Sequence, residues 1–330
     1  MADLHITNGD GAAGILRQTG LCDRILPWRD PMHHGPFPAG LPLPEASKLR
    51  ARYLAGPQDD AAQAQFEARD AIVQGIGRAD HVILWFEHDL LDQLQILQIL
   101  DHLSAAPPTR LELICIDRFP GVAAFRGIGQ LSAPQMASLY DDRQAITGDM
   151  LDLARSGWAA FRSADPRDLL AFTRGDLAVF PFLAPALLRH LEDYPDRQTG
   201  LTRTEWQLLT LVAGGVHGPH DLFVRNMERE EVLYIGDWTT YAVLSRLCDA
   251  GLLRSAPHPF RSPPMDDVDA ATFAGQRLNL TDAGRSILSG DSDAFTLLRR
   301  DDWLGGVRLR SERPMWTWDA GVGTLALRGG

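Results

Sequence analysis

The sequence predicts an α/β protein with an N-terminal parallel-sheet α/β domain, a helical middle and a C-terminal winged-helix-like domain. Three observations predict it. Short apolar runs at 3–7 (DLHIT), 81–86 (HVILWF) and 111–116 (LELICI), bounded by turn or charged residues, alternate with helical patterns, as a parallel sheet requires. From about 133 to 194 the pattern turns helical. After the Pro/Gly-containing stretch YPDRQTG (194–200), three helical segments, two extended pieces and a closing helix follow in the order of a winged helix-turn-helix.

Taken in order, residues 3–7 form the first strand and Ala12–Thr19 a short helix after a glycine-containing turn. RILPW (24–28) is a further strand interrupted by Pro27, and 45–55 and 59–77 are Ala/Gln/Arg-rich helices. The segment 90–103 carries apolar residues at 90, 91, 94, 96, 97, 99, 100 and 103, a helical pattern between two strands. Helices at 133–140, 143–162, 166–173 and 183–193 make the middle. Thr202 followed by Glu205 is a capping box that opens a helix to about 213. Helices at 219–228 and 237–250, a Pro-rich excursion at 257–264 and LNLTDAGRSIL (278–288) complete the C-terminal unit. The expected organisation is an α/β domain over 1–130, a helical connector over 131–198, a winged-helix-like domain over 199–290 and a β-rich tail over 291–330.

Composition narrows the chemistry. The 330 residues carry 32 Lys plus Arg against 43 Asp plus Glu, a net charge of −11, with 45% hydrophobic residues, so the chain can bury a core. Three cysteines, Cys22, Cys115 and Cys248, lie far apart with no CxxC, which argues against a disulfide framework or a thiolate zinc site. No apolar run reaches the ~18 residues a membrane helix needs and the N-terminus has no signal-peptide pattern, so the expectation is a cytoplasmic protein without a membrane partner. Lys48 is the only lysine and the Walker-type GxxxxGK[ST] loop is absent.

Three motifs follow or precede predicted strand ends. Asn8-Gly9-Asp10-Gly11-Ala12-Ala13-Gly14 sits between a strand and a helix, where glycines and a helix N-terminus suit an anion; it is equally readable as a tight turn with Asp10 as helix cap. Trp28-Arg29-Asp30-Pro31-Met32-His33-His34 offers Arg29 as a phosphate clamp, Asp30 beside it, and His33 or His34 for proton transfer. Its plainer reading is an ion pair of Arg29 with Asp30 or Asp10 and surface histidines. Glu87-His88-Asp89-Leu90-Leu91-Asp92-Gln93 ends a strand and opens a helix; Glu87, Asp89 and Asp92 can converge on a divalent metal such as Mg²⁺. Alternatively Asp89 is an N-cap, Asp92 a favourable first-turn acid and Gln93 solvent-facing. In parallel sheets ligands bind outside the carboxyl ends of strands, where all three motifs are expected.

The motifs HITNGDGAAG, LPWRDPMHHGP and LWFEHDLLDQLQIL together resemble the bacterial family defined by domain of unknown function 1835. RHLEDYPDRQTGLTRTEWQLL, DLF, GDWTTYAVLSRL, LTDAGRSIL and DWLGG resemble the C-terminal region that commonly accompanies it. The resemblance spans most of the chain and implies Asp10, Arg29, Asp30, Glu87, Asp89 and Asp92 as the matching polar positions. It departs at Gly11, where family members often carry Ser, and at Met32-His33-His34.

Two functions compete. In the first, an enzyme binds a phosphate-containing small molecule or nucleotide: Asn8, Gly9, Asp10 and Gly11 receive phosphate, Arg29 neutralises it, Asp30 and Gln93 contribute polar contacts, Glu87, Asp89 and Asp92 hold Mg²⁺, and His33 or His34 moves a proton. In the second, a non-catalytic regulator senses a ligand in the same cleft and uses the winged helix for protein contacts. Duplex DNA is disfavoured as partner, because residues 200–290 carry 8 basic against 11 acidic residues and 237–250 offers a single arginine. An oligomer is compatible with the composition.

Overall fold

The computed structural model describes residues 3–22, 24–56, 59–78, 80–231, 233–263 and 266–329. The protein is mixed α/β and divides into two compact units, one of residues 1–187 with 303–307 and one of residues 188–302 with 308–330.

The first unit is built on β1 (Leu4–Thr7), β2 (Arg24–Pro27), β3 (His81–Glu87) and β4 (Arg110–Ile116), parallel and in spatial order β2-β1-β3-β4, with a short antiparallel β5 (Gln144–Ala145) on the edge. Helix α1 (Asp10–Thr19) joins β1 to β2; α2 (Leu43–Ala55) and α3 (Asp60–Gln74) carry the chain back past β1 to β3; α4 (Leu90–Ser104) joins β3 to β4. Strand order therefore reverses between β1 and β3, which opens a crevice at their carboxyl ends. Both are buried along their whole length, so they read as continuous apolar runs rather than alternating ones. Pro27 is tolerated because β2 is an edge strand, where one row of N–H groups has no ladder partner.

One sheet face packs Ile83, Trp85 and Ile114 against Ala12 and Leu16 of α1, with Ile128, Leu131, Met136 and Leu139 from the later helical segments. Helix α5 (Ala133–Ser138) is opened by a Ser132/Gln135 capping box. The helix expected at 143–162 starts instead at Gly148 as α6 (Gly148–Phe161): Thr147 accepts a hydrogen bond from the Met150 N–H and caps it, while Gln144 and Ala145 pair with β4. Helices α7 (Pro166–Thr173) and α8 (Leu183–Leu191) follow. Gly305 is held by the Phe37 N–H, which donates to its carbonyl at 2.9 Å, and a Cβ there would lie 2.3 Å from the Phe161 carbonyl oxygen at φ +59°, so only glycine fits.

The second unit contains α9 (Arg203–Ala213), α10 (Pro219–Met227), α11 (Asp237–Asp249), the antiparallel pair of β6 (Leu253–Ala256) and β7 (Arg277–Leu280) with α12 (Ala270–Gly275) between them, and α13 (Asp282–Leu288). This order is consistent with a winged-helix-like domain. Its core joins Leu208, Leu209 and Val212 of α9, Leu222 of α10, and Leu244 and Leu247 of α11 to Leu253, Leu278 and Ile287. The Thr202/Glu205 capping box opens α9 as the spacing predicts. Strands β8 (Asp301–Leu304), β9 (Val307–Arg310), β10 (Met315–Asp319) and β11 (Thr324–Arg328) end the chain; β10 and β11 form a hairpin whose Trp318 is bridged to Asp196. Among the described residues no helix is long and apolar enough to cross a membrane.

Candidate functional site

The crevice is bounded by the β1–α1 turn and the β3–α4 turn. On the β3 side Asp89 adopts an extended backbone, caps α4 and accepts the Asp92 N–H at 2.9 Å, which turns Asp92 back over the strand end. Asp92 is completely buried; its Oδ2 accepts the Glu87 N–H at 2.6 Å and the Asn8 amide at 3.1 Å, tying the two turns together. Its Oδ1 is buried with no hydrogen-bond partner among the described residues. Glu87, also buried, accepts the Ile128 N–H, and a Cβ at Gly127 would sit 2.3 Å from Glu87 Oε1, so Gly127 leaves the room that this carboxylate fills.

Ligand oxygens of Glu87, Asp89 and Asp92 lie within 4.8 Å of one another. Burial pushes all three carboxyls above the usual carboxylate range; the Asp89 charge adds to this at Glu87, and the Asp89 and Glu87 charges add to it at Asp92. Among the described residues no arginine, lysine or histidine pairs with any of them. A hard divalent cation fits this donor set: it takes oxygen ligands, and here it would meet an orphaned carboxylate oxygen and supply the missing charge.

On the β1 side Gly9 is the N-cap of α1 with an extended backbone, so the helix begins at Asp10, not after it, and Asp10 is a first-turn acid rather than the cap. A Cβ built at Gly9 or Gly11 would meet nothing within 4 Å. Packing on their own Cβ positions therefore does not require these glycines, while the 128–130 turn lies against the first turn of α1, a Cβ at Gly129 being 3.7 Å from the Ala12 nitrogen. Asp10 forms a bidentate, exposed ion pair with Arg29 at 2.7 Å, one of the two plain partners the sequence offered.

The remaining expected residues are placed differently. Asp30 is buried and held by Arg50 at 2.6 Å, with Arg69 at 3.9 Å, so its carboxylate serves a structural ion pair. His33 is buried, and His34 packs edge-on to Tyr53 with its carbonyl accepting from Arg50; burial and the Arg50 charge push its imidazole down to about 4. A histidine so held is a poor proton donor near neutral pH. Gln93 is buried rather than solvent-facing: its amide donates to the Glu87 carbonyl at 2.8 Å and lies 3.4 Å from Cys115 Sγ.

Two residues escaped the sequence reading. Gln95, buried on α4, donates to the Trp28 carbonyl at 2.9 Å and the Asp30 carbonyl at 3.2 Å, while Gln98 accepts the Trp28 indole N–H at 3.0 Å; together they pin the Arg29 loop to α4. The polar spacing Gln93, Gln95, Gln98 inside an otherwise apolar helix was the available signal. His88 stands between two of the carboxylates, half-buried against Phe125 and Phe182, with its imidazole pushed below the usual range by burial. No protein-family model and no curated protein matches this chain.

Proposed function

We propose that the chain is a member of the family it resembles and acts as a Mg²⁺-dependent enzyme on a phosphate-containing small molecule or nucleotide, with its site where β1 and β3 end. The observation that carries this reading is the cluster of Glu87, Asp89 and Asp92, which has no cationic partner among the described residues and contains an orphaned oxygen on a fully buried side chain. Three carboxylates gathered in this way cost stability unless a cation joins them. A Mg²⁺ ion there would be held by these three side chains and would supply charge neutralisation to phosphate oxygens. The glycine turn at Gly9 and Gly11, where a built Cβ meets nothing within 4 Å, is tied to the cluster through Asn8 and offers backbone N–H groups to the same phosphate. Arg29, exposed and paired among the described residues with Asp10 alone, exchanges that carboxylate for a phosphate in this reading.

The experiment is a thermal-unfolding series on the full chain with Mg²⁺ alone and with Mg²⁺ plus nucleoside di- and triphosphates or sugar phosphates. Mg²⁺ should raise the melting temperature, and a fitting phosphate compound should raise it further; a ligand at 100 times its Kd adds about 2.7 kcal/mol. Asp89→Asn should abolish both responses. Equal responses in wild type and Asp89→Asn would refute the reading.

A further inference from the structure

A second cavity, of about 310 Å³, opens on the outer side of the edge strand β2, between α1 and α3. Arg17, Arg29 and Arg69 line it with Gln65, and Phe66 and Ile72 supply apolar wall. Among the described residues no carboxylate belongs to that lining, in a chain whose net charge is −11. The three guanidinium groups differ in how they are held. Arg69 is buried and fixed, its guanidinium 4.3 Å from the Trp28 ring centre and 4.6 Å from that of Phe66, with Asp70 and Ser47 bonded to Nε and Nη2. Its Nη1 is buried, with no hydrogen-bond partner among the described residues and the Asp30 carboxylate 3.9 Å away. Arg17, exposed in the last turn of α1, makes no ion pair among the described residues. Among the described residues Arg29 is engaged only by the exposed Asp10, and an exposed pair of that kind is worth at most about 1 kcal/mol, so Arg29 can turn to a competing anion.

From this arrangement we infer that the β2 cavity is a binding site for a small organic anion, a phosphate or carboxylate carried on an apolar or aromatic body. The exposed Arg17 and Arg29 forks take the anionic group, because guanidinium planes match the oxygens of carboxylate and phosphate two at a time, while the fixed Arg69 adds positive charge behind them. Phe66 and Ile72 take the body. The volume is that of a small-molecule pocket, and the excess of positive charge distinguishes it from the carboxylate cluster at the ends of β1 and β3. The site needs no Mg²⁺ and does not rest on the function proposed above, although the two readings share Arg29.

Calorimetric titration of the full chain in EDTA, with inorganic phosphate, phenyl phosphate and benzoate as probes, tests it. Phenyl phosphate or benzoate should bind at least tenfold more tightly than inorganic phosphate, and whichever is tighter identifies the anion. Binding should weaken about tenfold in Arg17→Gln and in Ile72→Glu, two exposed positions where the fold tolerates change, and it should weaken with added salt. Asp89→Asn should bind the same probe as wild type does, which separates this site from the carboxylate cluster. Absence of binding at millimolar probe, or binding unaffected by both Arg17→Gln and Ile72→Glu, overturns the inference.

Discussion

Glu87 in the first unit and Glu205 in the second are both buried glutamates, and they sit in opposite electrostatic surroundings. Glu205 reaches back to cap α9 and is bonded by Arg300 at 2.6 Å, with Arg246 at 3.2 Å. Burial alone would raise its pKa, but the Arg300 and Arg246 charges hold it below the ordinary value. Glu87 has backbone N–H from Ile128 and two further carboxylates for company, and its pKa is driven up. A buried acid matched by arginine is part of the scaffold. A buried acid left unmatched beside others is a place where the fold gives up stability, and such places mark sites. The same contrast separates Asp30, locked to Arg50, from Asp92, whose Oδ1 has no hydrogen-bond partner among the described residues.

The largest expected effect is in the second unit. Arg300→Ala leaves Glu205 buried with half its compensation and should cost about 3–5 kcal/mol in denaturant unfolding, whereas Glu205→Leu combined with Arg300→Met should recover most of that loss. Glu87→Gln should have the opposite sign, raising the stability of the metal-free protein by about 1 kcal/mol or more. A loss on Glu87→Gln comparable with that of Arg300→Ala would break the comparison.

Acid sensitivity comes next. His34 in the first unit and His190 in the second are each pushed down to about 4, chiefly by burial, and so are neutral in the fold. The unfolded chain takes up their protons first, near pH 6.5, so stability falls as pH drops from about 6.5 towards 4, by up to about 1.4 kcal/mol per pH unit for each histidine. His190→Gln should flatten the second unit's share of that slope, as equilibrium unfolding at a series of pH values will show.

Smaller effects probe the helix cap and the winged-helix-like unit. Asp89→Ala should cost about 1 kcal/mol through loss of the α4 cap, while Asp89→Asn, which caps as well, should be neutral or slightly stabilising without metal. A cost for Asn equal to that for Ala would mean that the charge itself is structural. Duplex DNA should show no sub-micromolar, salt-dependent binding in a gel-shift assay: on α11 the single arginine, Arg246, is already engaged by Glu205 and Asp302.

What the sequence by itself determined is local. Strands β1, β3 and β4 were legible as bounded apolar runs, α4 from its apolar spacing, and α9 from a Thr-x-x-Glu cap, because each is encoded by residues within a few positions of one another. The gathering of Glu87, Asp89 and Asp92 was legible for the same reason: the six residues 87–92 span a strand end and the first turn of a helix. Tertiary structure alone decided which acids were neutralised. Arg300 reaches Glu205 from 95 residues away, Arg50 rather than Arg29 takes Asp30, and Asn8 meets Asp92 across 84 residues. The last two pairings arise from strand order and from the return of α2 and α3 past β1, and the energy of a buried charge depends on what the fold brings within a few ångströms of it, a quantity that sequence neighbours do not carry.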